Sequence, residues 1–112
     1  MEAVNAPSSF AEVRTLIASF ADRATEALFH GASARAFRRI PPTIVSVATR
    51  KLDMLDAARS IEDLRSPPGN RLERLRGDLQ GLFSIRINDQ WRIVFRWEDG
   101  DAHGVRVIDY HG

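Results

Sequence analysis

The chain is 112 residues long, 44% apolar and 28% charged, which fits one domain with a packed core and leaves no room for a separate cofactor-binding domain. With no cysteine, disulfides and thiolate metal sites are excluded and a reducing compartment, the cytoplasm, is expected. The net charge is only +1 but unevenly spread: residues 1–64 carry eight basic and eight acidic groups, 65–96 carry seven arginines against Glu73, Asp78 and Asp89, and 97–112 are net −3.

No run approaches the ~18 apolar residues of a membrane helix, and the start lacks the basic and apolar blocks of a signal peptide. Residues 1–15, with Asn5-Ala6-Pro7-Ser8-Ser9, show no periodicity and read as a flexible extension ahead of a single domain over 16–112. Residues 13–20 space Val13, Leu16, Ile17 and Phe20 in a way that fits either a strand or a helical turn. Asp22 is placed to cap a helix over Arg23–Phe29, and Gly31 to stop it. Pro41-Pro42 then opens a second helix, in which Ile44, Val45, Ala48, Leu52, Leu55 and Ala58 recur every three or four residues. Arg50 and Lys51 fall off that stripe and are expected on a solvated face. Residues 61–64 add one more turn before Ser66-Pro67-Pro68-Gly69-Asn70 breaks regular structure.

Beyond the break the period changes to two. Phe83, Ile85 and Ile87 alternate with polar residues, as do Trp91, Ile93, Phe95 and Trp97, which predicts two half-buried strands. Further strands are expected at 72–76 and 105–110. The expected order is therefore one strand, two helices and three or four antiparallel strands, an α+β arrangement. Keeping the odd-numbered apolar residues on one face requires Ile87 to pair with Trp91, Ile85 with Ile93 and Phe83 with Phe95.

That register sets Arg86 opposite Arg92, and like charges so opposed destabilise a sheet. With Arg96, and Arg76 from the preceding strand, the polar face gathers guanidinium groups. Either they splay into water or pair with Glu73, Asp78 or Asp109, or an anion neutralises them, for which a nucleic-acid backbone is the obvious polyanion. The last strand should pair with residues 91–97, which brings the terminal Asp109-Tyr110-His111 near Arg92. An arginine beside proton-transfer groups is what RNA cleavage through the 2′-hydroxyl requires. His30, His103 and His111 show no metal-ligand spacing, and no glycine-rich nucleotide loop or nucleophile elbow is present, so neither metal nor cofactor is expected.

The ordered set Pro67-Pro68-Gly69-Asn70-Arg71-Leu72-Glu73, Leu75-Arg76-Gly77-Asp78, Ser84-Ile85-Arg86-Ile87-Asn88, Gln90-Trp91-Arg92-Ile93 and Asp109-Tyr110-His111 closely resembles the HigB toxins of the RelE superfamily. The likeness runs over about residues 17–111, upstream through Ser19-Phe20-Ala21-Asp22, Thr25-Glu26-Ala27-Leu28-Phe29 and Arg50-Lys51-Leu52. It implies a microbial RNase-like fold, with two N-terminal helices packed on a mainly antiparallel twisted sheet. It also implies a toxin that cuts mRNA on translating ribosomes and is held inactive by a HigA antitoxin with a helix-turn-helix domain, operator DNA being reached only through that antitoxin. By the same resemblance Arg92 stabilises the scissile phosphate, Arg76 is a basic residue often replaced by Lys, and Asp109, Tyr110 and His111 form the catalytic group. Glu73 stands where some relatives carry His; it is a candidate general base, or a partner for Arg74 or Arg86. Arg74, Arg76, Arg86 and Arg96 are the expected RNA-binding residues. Two alternatives share the fold: a ParE-like inhibitor of DNA gyrase that cuts nothing, and a detoxified relative that only binds its antitoxin and represses its operon.

Overall fold

A computed structural model of the chain describes residues 17–110, so the expected N-terminal extension and His111 lie outside the described residues. Helix α1, Arg23–Phe29, starts where the Asp22 carboxylate accepts the Thr25 amide at 2.9 Å, satisfying a donor that the first turn leaves open. Arg39 clamps this start, donating to the Asp22 carboxylate and, at 2.7 Å, to the Val107 carbonyl. Burial alone would raise the Asp22 pKa. The Thr25 hydrogen bonds and the Arg39 cation outweigh it and hold the carboxyl below its ordinary value. The helix ends as expected at Gly31, whose φ of +73° is open to glycine at no steric cost.

A 3₁₀ turn over Ala34–Phe37 leads to helix α2, Pro42–Ala57, with proline in its first turn. Four antiparallel strands follow, β1 (Glu73–Arg74), β2 (Phe83–Arg86), β3 (Trp91–Glu98) and β4 (Asp101–Asp109), in the order β1-β2-β3-β4. Phe83 faces Phe95, Ile85 faces Ile93 and Arg86 faces Arg92, the pairing that the apolar alternation demands.

Two strand boundaries depart from expectation. The strand expected at 72–76 contracts to Glu73–Arg74, and the one expected at 105–110 begins earlier, at Asp101. In β4 one extra residue bulges: Val94 pairs with Arg106, yet Arg96 pairs with His103. Gly104, at φ +59°, takes up the slack, and the buried parity passes from Ala102 to Val105 and Val107. A strict period of two conceals the first half of such a strand. Residues 17–20 are neither a full strand nor a helical turn. They run parallel to the outer edge of β4 through bridges Ile17–Ala102 and Phe20–Val105, with the Gly104 amide donating to Ser19 Oγ at 2.8 Å.

The odd-numbered face of β2 and β3, with Val105 and Val107, packs against Leu28, Ile44, Ala48, Leu52 and Leu55 in one core. Lys51 is also buried, 7% exposed, correcting the expectation of a solvated position. The cause is the shortness of β1. It pairs only with Phe83 and Ser84, so the Arg86 carbonyl lies past its end, and Lys51 Nζ donates to that oxygen at 2.9 Å. Burial holds the Lys51 ammonium below its ordinary pKa, and repulsion from Arg50 and Arg86 adds to the effect. Asn70, fully buried, pins the break before β1 by donating to the carbonyls of Leu64 (3.1 Å) and Ser66 (3.3 Å). Among the described residues no helix is long and apolar enough to cross a membrane, and no cluster of His, Asp and Glu is placed to hold a metal ion.

Candidate active site

The sheet face turned away from the helices is organised around Arg92, whose side chain is only 12% exposed. Its Nη1 donates to Ser84 Oγ at 2.8 Å and to the Arg71 carbonyl at 3.4 Å. Its Nη2 lies 3.6 Å from Glu73 Oε2, and its guanidinium carbon sits 5.3 Å from the centre of the Tyr110 ring. Register explains the convergence. Arg92 pairs with Arg86 on one side and Ile108 on the other, so Ser84 and Tyr110 are its diagonal neighbours, and Glu73 stands one strand beyond Ser84. A 2.6 Å bond from the Tyr110 amide to the Gln90 carbonyl carries the β3–β4 pairing as far as the ring.

Asp109 pairs with Trp91 and accepts from the Gln90 side chain at 3.1 Å; alternation along β4 turns it from the face that carries Tyr110. His111 lies outside the described residues. Arg96 shares the Arg92 face but sits four residues along β3, about 13 Å away, where Glu98 pairs with it at 3.4 Å.

The expected clash between Arg86 and Arg92 is resolved inside the protein. Arg86 turns to Asp89 in the β2–β3 turn, while Glu73 faces Arg92. Arg65 is paired as well, with Glu62 at 2.6 Å. Among the described residues no carboxylate pairs with Arg71, Arg74 or Arg76, so the uncompensated charge of this segment gathers around β1. The Arg74 guanidinium lies 5.2 Å from the centre of the Phe83 ring. Phe83 and Ser84 are consecutive in β2 and point to opposite faces, so Arg74 and Arg92 also occupy opposite faces of the sheet. Arg76 was expected beside Arg86 and Arg92. It instead lines, with Arg74, Leu75, Gln80, Gly81 and Phe83, an open cavity of about 640 Å³.

A sequence profile described as the RelE-like toxin HigB of type II toxin–antitoxin systems matches residues 18–111. The chain belongs to this HigB-like toxin family. The toxin is 54% identical to Toxin HigB-1 of Vibrio cholerae over 65 residues, which cover 58% of this chain and 68% of that one. It is 33% identical to Endoribonuclease HigB of Proteus vulgaris over 72 residues, 64% of this chain and 77% of that one. In fold it is similar to a chain of the YoeB–YefM complex from Staphylococcus aureus, with a TM-score of 0.54 and 21% identity, across 86% of this chain and 98% of that chain.

Sequence reasoning passed over one member of the toxin's Arg92 cluster. Ser84 is fully buried and its hydroxyl anchors the guanidinium. The only available signal was a small polar residue in an alternating strand, which reads as ordinary outward alternation until the register supplies Arg92 as its diagonal neighbour.

Proposed function

We propose that the toxin is a ribosome-dependent mRNA endonuclease that cuts by attack of the 2′-hydroxyl on the adjacent phosphate, and that a HigA-type antitoxin neutralises it. The observation that carries this reading is the Arg92 guanidinium gripped among Ser84, Glu73 and the Tyr110 ring. A guanidinium fixed in this way meets a phosphate with its geometry already set, so little reorganisation is needed as charge builds on the reacting phosphorus oxygens.

In the proposed reaction Glu73 removes the 2′-hydroxyl proton. The 2′-oxygen bonds to phosphorus, Arg92 neutralises the added negative charge, and the 5′-oxygen departs with a proton from His111, leaving a 2′,3′-cyclic phosphate and a free 5′-hydroxyl. Glu73 is favoured over Asp109 as the base because it lies at the guanidinium, whereas Asp109 belongs to the other face of β4. Tyr110 supplies a ring against which the flipped-out nucleotide stacks. Support for nuclease action rather than gyrase inhibition also comes from the relative in Proteus vulgaris, which carries the name endoribonuclease.

The test is inducible expression of wild type and Arg92→Ala, each with and without the antitoxin, with message ends mapped by primer extension. Wild type alone should arrest growth and produce cuts that depend on translation, and Arg92→Ala should do neither while remaining folded. Growth arrest with intact message and inhibited gyrase would overturn the reading, as would undiminished toxicity of Arg92→Ala.

A further inference from the structure

The turn between β2 and β3 grips two successive residues at the far end of β4. That strand stops at Asp109, whose ladder partner is Trp91, so Tyr110 lies past the last pair of the sheet. Backbone beyond a strand's end opens more readily than backbone within it, and the ring that meets Arg92 stands on such a residue. Gln90, immediately before β3, supplies the missing hold. Its carbonyl accepts the Tyr110 amide at 2.6 Å, and its side-chain Nε2 donates to Asp109 Oδ2 at 3.1 Å. Gln90 is itself fixed by Asn88, whose Oδ1 accepts the Gln90 amide at 2.8 Å and the Trp91 amide at 2.7 Å. The line of contacts runs from Asn88 through Gln90 to Tyr110 and ends where that ring lies 5.3 Å from the Arg92 guanidinium carbon.

We infer that Gln90 is a positioning residue for the reaction, holding Tyr110 against Arg92 through Asp109 and through its own carbonyl. The inference rests on the proposed RNA cleavage at Arg92, and it gives Asp109 a task that its orientation allows. The Asp109 side chain is turned from the face that carries Arg92, away from the reacting atoms. As the acceptor for Gln90 it fixes the residue before Tyr110, and alternation then sends the Tyr110 ring to the opposite face, where Arg92 is. His111, the proposed acid, is bonded directly to Tyr110.

The chemistry of the pair suits this role. An amide donating to a carboxylate makes a stronger bond than two neutral groups do. Gln90 and Asp109 are both exposed, so their bond contributes little to burying the core; what it sets is the direction of the backbone leaving β4. A group that is docked only part of the time acts in proportion to that fraction, so loosening the grip lowers the rate without altering the chemistry.

Tyr110 is the only tyrosine in the chain, so biosynthetic 3-fluorotyrosine puts a single fluorine label at the site. The fluorine resonance of the purified toxin is compared among wild type, Gln90→Glu and Gln90→Glu/Asp109→Asn, and single-turnover cleavage is measured on ribosomes carrying message. Gln90→Glu keeps the shape and sets a second carboxylate against that of Asp109. The resonance should move toward its position in urea-unfolded toxin and the cleavage rate should fall about tenfold, with the half-saturating ribosome concentration and the urea midpoint little changed. The double variant restores the hydrogen bond with donor and acceptor exchanged, and both readouts should return to within about twofold of wild type. An unmoved resonance in Gln90→Glu overturns the inference, because Tyr110 is then held without this bond. So does a moved resonance with an undiminished rate, and so does a double variant in which either readout stays at the Gln90→Glu value. Since the fluorine signal is read without RNA, a wild-type toxin that left message intact would defeat the nuclease reading, while the resonance would still decide whether Gln90 holds Tyr110.

Discussion

Arg92 and Arg74 lie on opposite faces of one four-stranded sheet, and the protein treats their charges in opposite ways. Arg92 is nearly enclosed, tied to a buried hydroxyl, a backbone carbonyl, a carboxylate and a ring. Arg74 is exposed, rests on an aromatic ring, and has no carboxylate partner among the described residues. A fixed cation suits a step in which charge must be met at a defined position, because its orienting cost is met on folding. An exposed, uncompensated one suits capture, where counterions are released and geometry is secondary. Among the described residues the sheet thus holds one cation fixed and leaves the other without a carboxylate.

The largest expected effect comes from making Arg92 resemble Arg74. Glu73→Gln removes its carboxylate partner and nearly preserves shape. If Glu73 is the base, cleavage in a translation reaction with purified ribosomes should fall by about 10²- to 10⁴-fold. Unchanged or faster cleavage would reduce Glu73 to a mere partner of Arg92.

Arg92→Lys keeps the charge and loses the planar fork that meets Ser84 and the Arg71 carbonyl through one nitrogen and Glu73 through the other. A fall of roughly 10²- to 10³-fold in the same assay is expected, with RNA affinity much less affected. Equal losses in both would mean that the Arg92 face also works chiefly by capture.

Asp89→Asn sharpens the contrast in the other direction by freeing Arg86 from its partner in the turn. RNA affinity should rise a few-fold and the salt slope steepen by about 0.7, the increment for one more phosphate contact on a single strand. A flat response would show that Arg86 does not reach RNA even when released.

The smallest effect concerns the Asp22–Arg39 pair, which shares no partner with Arg92 or Arg74. Asp22→Ala should cost about 1 kcal/mol of stability in urea melts at neutral pH, the usual value of an N-cap. Because the folded-state pKa is depressed, the wild-type contribution is complete above the unfolded value, near 3.8, and drains away as pH falls through the folded value. The gap between wild type and variant should therefore shrink in acid, with cleavage at neutral pH unchanged.

Much of this organisation was legible locally. The β2–β3 register followed from where Phe83, Ile85, Ile93 and Phe95 must point, and α2 from a 3.6-residue apolar repeat behind two prolines. Those features depend on neighbours a few residues apart. The convergence of Arg92 with Tyr110 followed once β4 was paired with β3, although a bulge at Gly104 hid half of that strand. Lys51 was misplaced because its partner is a carbonyl 35 residues away, open only because another strand stops short. Arg76 was misplaced because the register of β1 on β2, which no local pattern fixes, puts Glu73 and not its even-numbered neighbours on the Arg92 face.

What the sequence by itself determined is the alternation of faces, the helix starts and stops, and the motif order that marks the family, since each is written in short-range spacing and backbone preference. Only the tertiary structure decided which acid neutralises which arginine, and therefore where positive charge is left over. Pairing is a contest among side chains brought together from distant strands, and its outcome turns on strand lengths and on the approach of a few ångströms that no local pattern encodes.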